Sequence, residues 1–336
     1  MTHTGARTGL AIADLTVDIP TPTGDVRVLR GLSLDIAPGE IVGIVGESGS
    51  GKSMTALSVL RLLPTGGRIS GGSVRFDGEE LTELSPRGMR RVRGIKIGMI
   101  FQDPMTTLDP VVRVGDQIDE AYRIHHPGAS AAQARGRTLE VLKSVGVPVA
   151  RERALQYPHQ WSGGMRQRAV IAMALVNEPD LIIADEPTTA LDATVQAQVL
   201  EVLQGIQRNS GVAIGIITHD LGVIAQVASR VAVMYAGSVV EVASTEELFW
   251  DSRHPYTRAL MDSRPAQSSR GEPLATIPGR PPAMAAVPDG CPFAARCTFA
   301  KKNDRCQSER PELSLSTDGR LSACHFRDHT QKEASA

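Results

Sequence analysis

The sequence predicts an α/β fold built on a parallel sheet that carries a phosphate-binding loop, and three observations support this. The run GESGSGKS at Gly46 to Ser53 fits the pattern G-x-x-x-x-G-K-[ST], with Gly46, Gly51, Lys52 and Ser53 at the required places. The apolar IVGIV, Ile41 to Val45, precedes it and SMTALSVLRLL, Ser53 to Leu63, follows it, so a buried strand leads in and a helix leads out. Far downstream, LIIADE at Leu181 to Glu186 reads as a second buried strand ending in two carboxylates.

At the start of the chain, Leu15, Val17 and Ile19, then Leu32, Leu34 and Ile36, alternate with other residues at the period of half-buried strands. PGE at Pro38 to Glu40 is a turn that hands the chain to IVGIV. In the loop, alternating glycine and serine let the backbone turn its N–H groups inward. A helix starting at about Ser53 adds orphan N–H donors and roughly half a unit of positive charge, which makes phosphate the natural occupant. Lys52 has the reach for β- and γ-phosphates, and the Ser53 hydroxyl suits the shell of Mg2+. A plain Gly-Ser linker matches the composition but not the strand and helix on either side.

From about Val112 to Arg153 the pattern is helical, with apolar faces at Ile118, Ala121 and Tyr122, then at Leu139, Val141, Leu142 and Val145, broken near His126 to Ser130. SGGMRQR at Ser162 to Arg168 is a serine and two glycines leading into a helix whose N-terminus again faces an anion. Taken alone, it also reads as a capped helix with a loose lead-in. Asp185 and Glu186 emerge at the C-terminal edge of a buried strand, where open α/β sheets bind ligands. There Asp185 suits Mg2+ and Glu186 suits polarising the water that attacks a γ-phosphate, against the plainer reading of a solvated turn.

In this order the phosphate loop, SGGMRQR, DEPTTALD at Asp185 to Asp192 and THD at Thr218 to Asp220 resemble the ABC transporter ATPases over roughly Leu10 to Leu260. The resemblance implies a P-loop ABC ATPase core with an antiparallel β subdomain and a helical subdomain at about residues 103–164, all within a nucleotide-binding domain of residues 1–262. It implies ATP held by Gly46, Glu47, Ser48, Gly49, Ser50, Gly51, Lys52, Ser53 and Met54, with Ser53, Gln102 and Asp185 on Mg2+. The implied catalytic set is Glu186 as the water-activating acid, His219 as the switch histidine at the γ-phosphate, and Gln102 of IFQDP as the Q-loop glutamine. Ser162, Gly163, Gly164 and the D-loop Asp192 are implied to meet nucleotide across a head-to-tail pair, which requires a second ABC ATPase subunit, either another copy or a paralogue. Without that resemblance, a lone Gln102 or His219 is an ordinary surface or structural residue. Two positions depart from the family pattern: Trp161 stands where a leucine usually precedes the serine, and Val17 or Ile19 where an aromatic often stacks on adenine.

Beyond Phe249, RHPYTRALMDSRP (Arg253 to Pro265), IPGRPP (Ile277 to Pro282) and GCPFAARC (Gly290 to Cys297) resemble the dipeptide and oligopeptide importers, an extension shared with nickel-importing relatives. This implies an ATPase subunit that powers di- or oligopeptide import. A nickel or other small-solute importer, or a non-transport cytosolic ABC ATPase, is the alternative. The implied partners are two transmembrane permease subunits and, indirectly, an extracytoplasmic substrate-binding protein. Proline and glycine are dense from Arg264 to Gly290, as in an extended linker that wraps the ATPase.

All four cysteines, Cys291, Cys297, Cys306 and Cys324, fall in the 263–336 extension. Their spacing lacks the short C-x(2-4)-C knuckle of structural zinc, and a reducing compartment disfavours disulfides. Long, uneven spacings suit a 4Fe-4S cluster, which the importer resemblance also implies, while zinc and unliganded thiols stay open. His254 and His325 are better read as capping or solvated residues than as ligands. Tyr256 and Arg258 are expected to pack the tail onto the cassette.

With 36 Lys and Arg against 37 Asp and Glu, the formal net charge is -1, so no basic field offers itself to nucleic acid. No apolar run approaches the roughly eighteen residues of a membrane span, and MTHTGARTGL lacks the apolar stretch of a secretory signal. The chain is therefore expected at the cytoplasmic face of the membrane, bound there through its partners. No repeat of roughly 20 to 50 residues is visible, which makes it one cassette rather than a tandem pair.

Overall fold

The apolar runs fold as strands and the amphipathic ones as helices in the computed structural model, which describes residues 8–189, 191–263, 276–298 and 304–328. The chain divides into two compact units. One holds Met1–Leu10, Asp35–Ile41 and Arg75–Thr218, and the other holds Ala11–Leu34, Val42–Val74 and His219–Ala336.

In the first unit, the strands Ile97–Ile100, Leu181–Asp185 and Ala213–Thr218 lie side by side and parallel, with Ile97 opposite Leu181 and Leu181 opposite Ala213. Leu181–Asp185 and Ala213–Thr218 are buried at every position, the mark of parallel strands covered on both faces. The predicted helical region forms Val114–Arg123 and Ala131–Ser144, with Ile118, Val141, Leu142 and Val145 buried as their spacing requires. The break between them is set by Ser130. Its hydroxyl accepts from the Gln133 N–H at 3.2 Å while the Gln133 side chain accepts from the Ser130 N–H at 2.8 Å, a reciprocal helix start. Two further helices, Gly163–Leu175 and Ala193–Ser210, carry the glycine pair and follow Asp192.

In the second unit, strand residues 24–34, 11–21 and 68–74 are neighbours in that order, and Val42 to Val45 of the strand Ile41–Val45 runs parallel to Arg230–Tyr235. The latter pairs antiparallel with Ser238–Ser244. Ser238–Ser244 then takes Leu321–Ser322 as an antiparallel neighbour, with Val242 opposite Leu321, and Ser314–Leu315 adds to its far side. The end of the cysteine-bearing extension is thus woven into a cassette sheet.

The weave is pinned by charge. Arg320 donates through Nε to Asp318 at 2.8 Å and through Nη2 to Asp251 at 2.9 Å, and Arg253 donates to the same Asp318 at 2.6 Å. The Arg320 hydrogen bond holds the Asp318 carboxyl well below the usual carboxylate range. Beneath them Glu241 is fully buried and accepts the N–H groups of Arg253 (2.6 Å) and His254 (2.9 Å), while burial pushes its pKa up.

One expectation is corrected, and three others fall partly outside what is described. The helix after the phosphate loop ends at Val59, not Leu63. Arg61 turns to φ 50 and the Leu62 N–H closes back on the Leu57 carbonyl at 2.7 Å, and Pro64 disfavours a helical conformation at Leu63 just beyond. Of the Pro/Gly-dense linker, residues 264–275 lie outside the described residues, as do the first seven residues of MTHTGARTGL and Ala190 of DEPTTALD.

Candidate functional site

The strand Ile41–Val45 delivers the chain to Gly46, where φ is 157 and a Cβ would stand 2.2 Å from the Met234 carbonyl oxygen. Glycine is the residue that lets the loop pass this close. The loop then enters the helix Lys52–Val59 at Gly51 with no side-chain cap, whereas Ser162, Asp192 and Asp220 each cap the helix that follows them. A helix start of this kind directs its first N–H groups to a bound anion. Lys52 is 7% exposed, and its ammonium donates to the carbonyls of Gly46 (2.8 Å) and Glu47 (3.0 Å). The neighbouring Ser53 is exposed.

In the first unit, Asp185 closes its strand in a buried position, and Glu186 leaves it with φ 48. A left-handed conformation costs a non-glycine residue about 1–2 kcal/mol, a strain that recurs at functional sites. The Glu186 N–H holds the turn by donating to the Ile217 carbonyl at 2.8 Å. Its carboxylate accepts on Oε2 from Gln102 Nε2 at 2.9 Å and from the Thr189 hydroxyl at 2.7 Å. Two predicted catalytic residues 84 positions apart therefore meet directly. Thr189 was not predicted, although a hydroxyl three residues after the acid, as in EPTT at Glu186 to Thr189, is a pattern by which such a turn bonds back on itself.

The glycine-pair helix starts as expected, but with local use of its serine. The Ser162 hydroxyl accepts the Met165 N–H at 3.4 Å, and Trp161 before it is buried. Gly164 permits a close helix crossing, since a Cβ there would lie 2.4 Å from Val195 Cγ1. Asp192 caps the partner helix through the N–H groups of Thr194 (3.1 Å) and Val195 (3.0 Å). Ser162 and Asp192 are exposed. In the second unit His219 is also exposed, directly ahead of the cap Asp220. Of the positions considered for adenine, Val17 is fully buried, so only Ile19 retains surface.

All four cysteines are thiols, with Cys297, Cys306 and Cys324 buried and Cys291 half-buried. Burial pushes Cys291 up to about 11 and Cys324 up to about 12, and the charges of the other three add to the rise at Cys324. The Cys291 N–H donates to the Cys306 carbonyl at 2.9 Å, which ties the first and third cysteine segments. Four thiols are a soft donor set of the kind that thiolate-bound metals use. Even so, no group of three or more His, Cys, Asp or Glu side chains among the described residues is arranged as a metal site, so the structure does not support the expected 4Fe-4S ligand set. His254 serves as a cap, its Nδ1 accepting the Tyr256 N–H at 3.1 Å.

A cavity of about 670 Å3 beside Arg137, Arg168 and Asn209 contains none of the predicted site residues. No helix among the described residues is long and apolar enough to cross a membrane.

A lysine-bearing phosphate loop and paired carboxylates at a parallel strand end define the class of P-loop nucleotide hydrolases. Residues 29–189 match the family described as ABC transporter, and residues 240–306 match the oligopeptide/dipeptide transporter C-terminal region. The dipeptide transport ATP-binding protein DppD of Bacillus subtilis is 47% identical over 97% of this chain and 96% of its own. The oligopeptide transport ATP-binding protein OppD of Salmonella typhimurium is 47% identical over 94% of this chain and 92% of its own. Among solved structures, the dimeric bacterial ABC transporter cassette MJ0796 is similar with a TM-score of 0.63 and 29% identity, over 70% of this chain and 98% of that one. The chain belongs to the ABC transporter family, as an ATP-hydrolysing subunit of the group with the oligopeptide/dipeptide C-terminal region.

Proposed function

We propose that this chain hydrolyses ATP to power uptake of di- or oligopeptides through separate membrane permease subunits. The hydrolytic part rests on one observation, the strand-end carboxylate of Glu186 held by Gln102. The transport part is supported by relatives named for dipeptide and oligopeptide transport.

In this reading Lys52 exchanges the Gly46 and Glu47 carbonyls for β- and γ-phosphate oxygens, and Glu186 polarises the attacking water. Because Gln102 donates to the same carboxylate, drawing Gln102 toward a γ-phosphate changes the hydrogen bonding of the acid that activates water. His219 contacts the γ-phosphate. Ser53, Gln102 and Asp185 offer hard oxygen donors of the kind Mg2+ takes. Ser162, Gly163, Gly164 and Asp192 serve the nucleotide of a second ATPase subunit, a copy or a paralogue. Exposed Val111, Ile124 and Leu155 on the helical region supply apolar surface for a permease. A subunit that draws on cellular ATP and docks on a permease works at the cytoplasmic face, with an extracytoplasmic receptor delivering cargo.

The test is uptake into proteoliposomes that contain the permease subunits and receptor. Labelled peptide should enter with ATP. Glu186→Gln should keep ATP binding and lose turnover by about 100-fold or more, the scale of a lost general base, and Lys52→Ala should lose binding. Entry of nickel without peptide favours the small-solute importer instead.

The four cysteines are proposed to hold a 4Fe-4S cluster, with zinc as the rival. Such a group would cross-link the segments around Cys291, Cys297, Cys306 and Cys324. The raised thiols must shed protons to ligate, so loading improves as pH rises. Iron and sulfide in equal amounts in a brown anaerobic preparation support the cluster; stoichiometric zinc without either rejects it.

A further inference from the structure

We propose that Arg296 and Tyr256 are positioning residues that set the phosphate loop's affinity for nucleotide by gripping Glu47 from outside the loop, an inference that rests on reading Gly46 to Ser53 as the ATP loop. Arg296 is 7% exposed, and its guanidinium meets the Glu47 carboxylate with two prongs, Nη1 to Oε2 at 2.6 Å and Nη2 to Oε1 at 3.0 Å. The remaining donors reach back into the extension. Nε donates to the Pro278 carbonyl at 2.9 Å and Nη2 also to the Ile277 carbonyl at 3.4 Å, while Nη1 also donates to the Tyr235 hydroxyl at 3.3 Å. One side chain thus joins IPGRPP to the loop.

The main chain of Glu47 is held as well, since its N–H donates to the Tyr256 hydroxyl at 2.9 Å. Tyr256 is itself fixed in a cluster of tilted aromatic rings, 4.6 Å from Tyr235 and 5.4 Å from Phe293 between ring centroids. Pro281, Pro282 and Met284 of the extension share with Glu47 and Ser48 the walls of a pocket of about 160 Å3. Glu47 also lends its carbonyl to Lys52, so the gripped residue is one bond away from the ammonium that meets phosphate.

A bidentate Arg–carboxylate pair, here with its guanidinium buried and its carboxylate half-buried, is rigid and directional. A loop ordered before binding loses less conformational freedom when the ligand arrives. Releasing the grip should therefore weaken ATP binding, although neither Arg296 nor Tyr256 is assigned to phosphate. If the pair only glues the extension to the cassette, its loss lowers the melting temperature and leaves nucleotide affinity alone.

Equilibrium binding of a fluorescent ATP analogue to the full chain separates these outcomes. Arg296→Gln and Glu47→Gln should each weaken binding about tenfold, roughly 1.4 kcal/mol, and the double variant should be no weaker than either single one. Arg296→Lys should recover part of the loss, and Arg296→Gln at saturating ATP should keep the turnover of the parent. Unchanged affinity in folded Arg296→Gln, or additive losses in the double variant, overturns the proposal. Should Arg296→Gln fail to fold, the near-isosteric Glu47→Gln decides it: unchanged affinity there is equally fatal. A Lys52→Ala protein that binds ATP normally refutes the assignment of the loop itself, a separate failure.

Discussion

His254 shows how burial turns a titratable residue into a structural one. Its Nδ1 must be unprotonated to accept the Tyr256 N–H, and burial pushes its pKa down to about 3. In an unfolded chain the same ring titrates near 6.5, so between these values the unfolded state takes up a proton that the folded state refuses. Its contribution to stability is complete above about pH 6.5 and falls as pH drops toward 3, by at most about 1.4 kcal/mol per pH unit. Glu241, whose carboxylate accepts the His254 N–H, is shifted up by burial and pulls the other way. The readout is therefore the difference between wild type and His254→Asn in urea unfolding at pH 7, 6 and 5. The gap should narrow as pH falls, because the variant keeps a capping side chain without the proton. A constant gap rules this out. The same residue scale marks the limit of what the sequence shows. Lys52 and Glu186 stand in patterns that predict their chemistry, whereas a role for Gln102 is implied only by the family resemblance. The bonds from Arg296 and Tyr256 to Glu47 span 249 and 209 residues and obey no local pattern.

Among elements, strands were the most legible, because IVGIV and LIIAD combine an apolar run with turn residues at both ends, and both appear at their predicted places. Helix ends were less so. Ser130 announces itself through Gln133 three residues on, but the stop at Val59 depends on Arg61 entering a conformation that the sequence signals only weakly through Pro64. The strands Ser314–Leu315 and Leu321–Ser322 were not foreseen at all. Two-residue strands have no stability of their own and exist here because Ser238–Ser244 offers an edge and Arg320 clamps the turn between them. Dual use also hides at this scale. Ser162 and Asp192 are spoken for as helix caps, yet both remain exposed at helix starts, where a second oxygen-rich ligand finds N–H donors.

For the whole molecule, the question is whether one chain suffices. The glycine-pair helix presents its start to solvent, and the similar cassette MJ0796 was solved as a dimer. A ligand that binds only the paired form stabilises it by mass action, so under the proposed function ATP would drive pairing and hydrolysis would undo it. A formal net charge of -1 sets little long-range repulsion against the encounter. Glu186→Gln, which keeps nucleotide while stalling its hydrolysis, should therefore shift from one-chain to two-chain mass on ATP and Mg2+ in size exclusion with light scattering. Lys52→Ala should stay at one-chain mass. If the natural second subunit is a paralogue, the shift appears when that chain is co-purified. One-chain mass at saturating ATP with either partner supplied would mean that Ser162 to Gly164 do nothing beyond starting a helix, and that this cassette hydrolyses ATP, if at all, within a single chain.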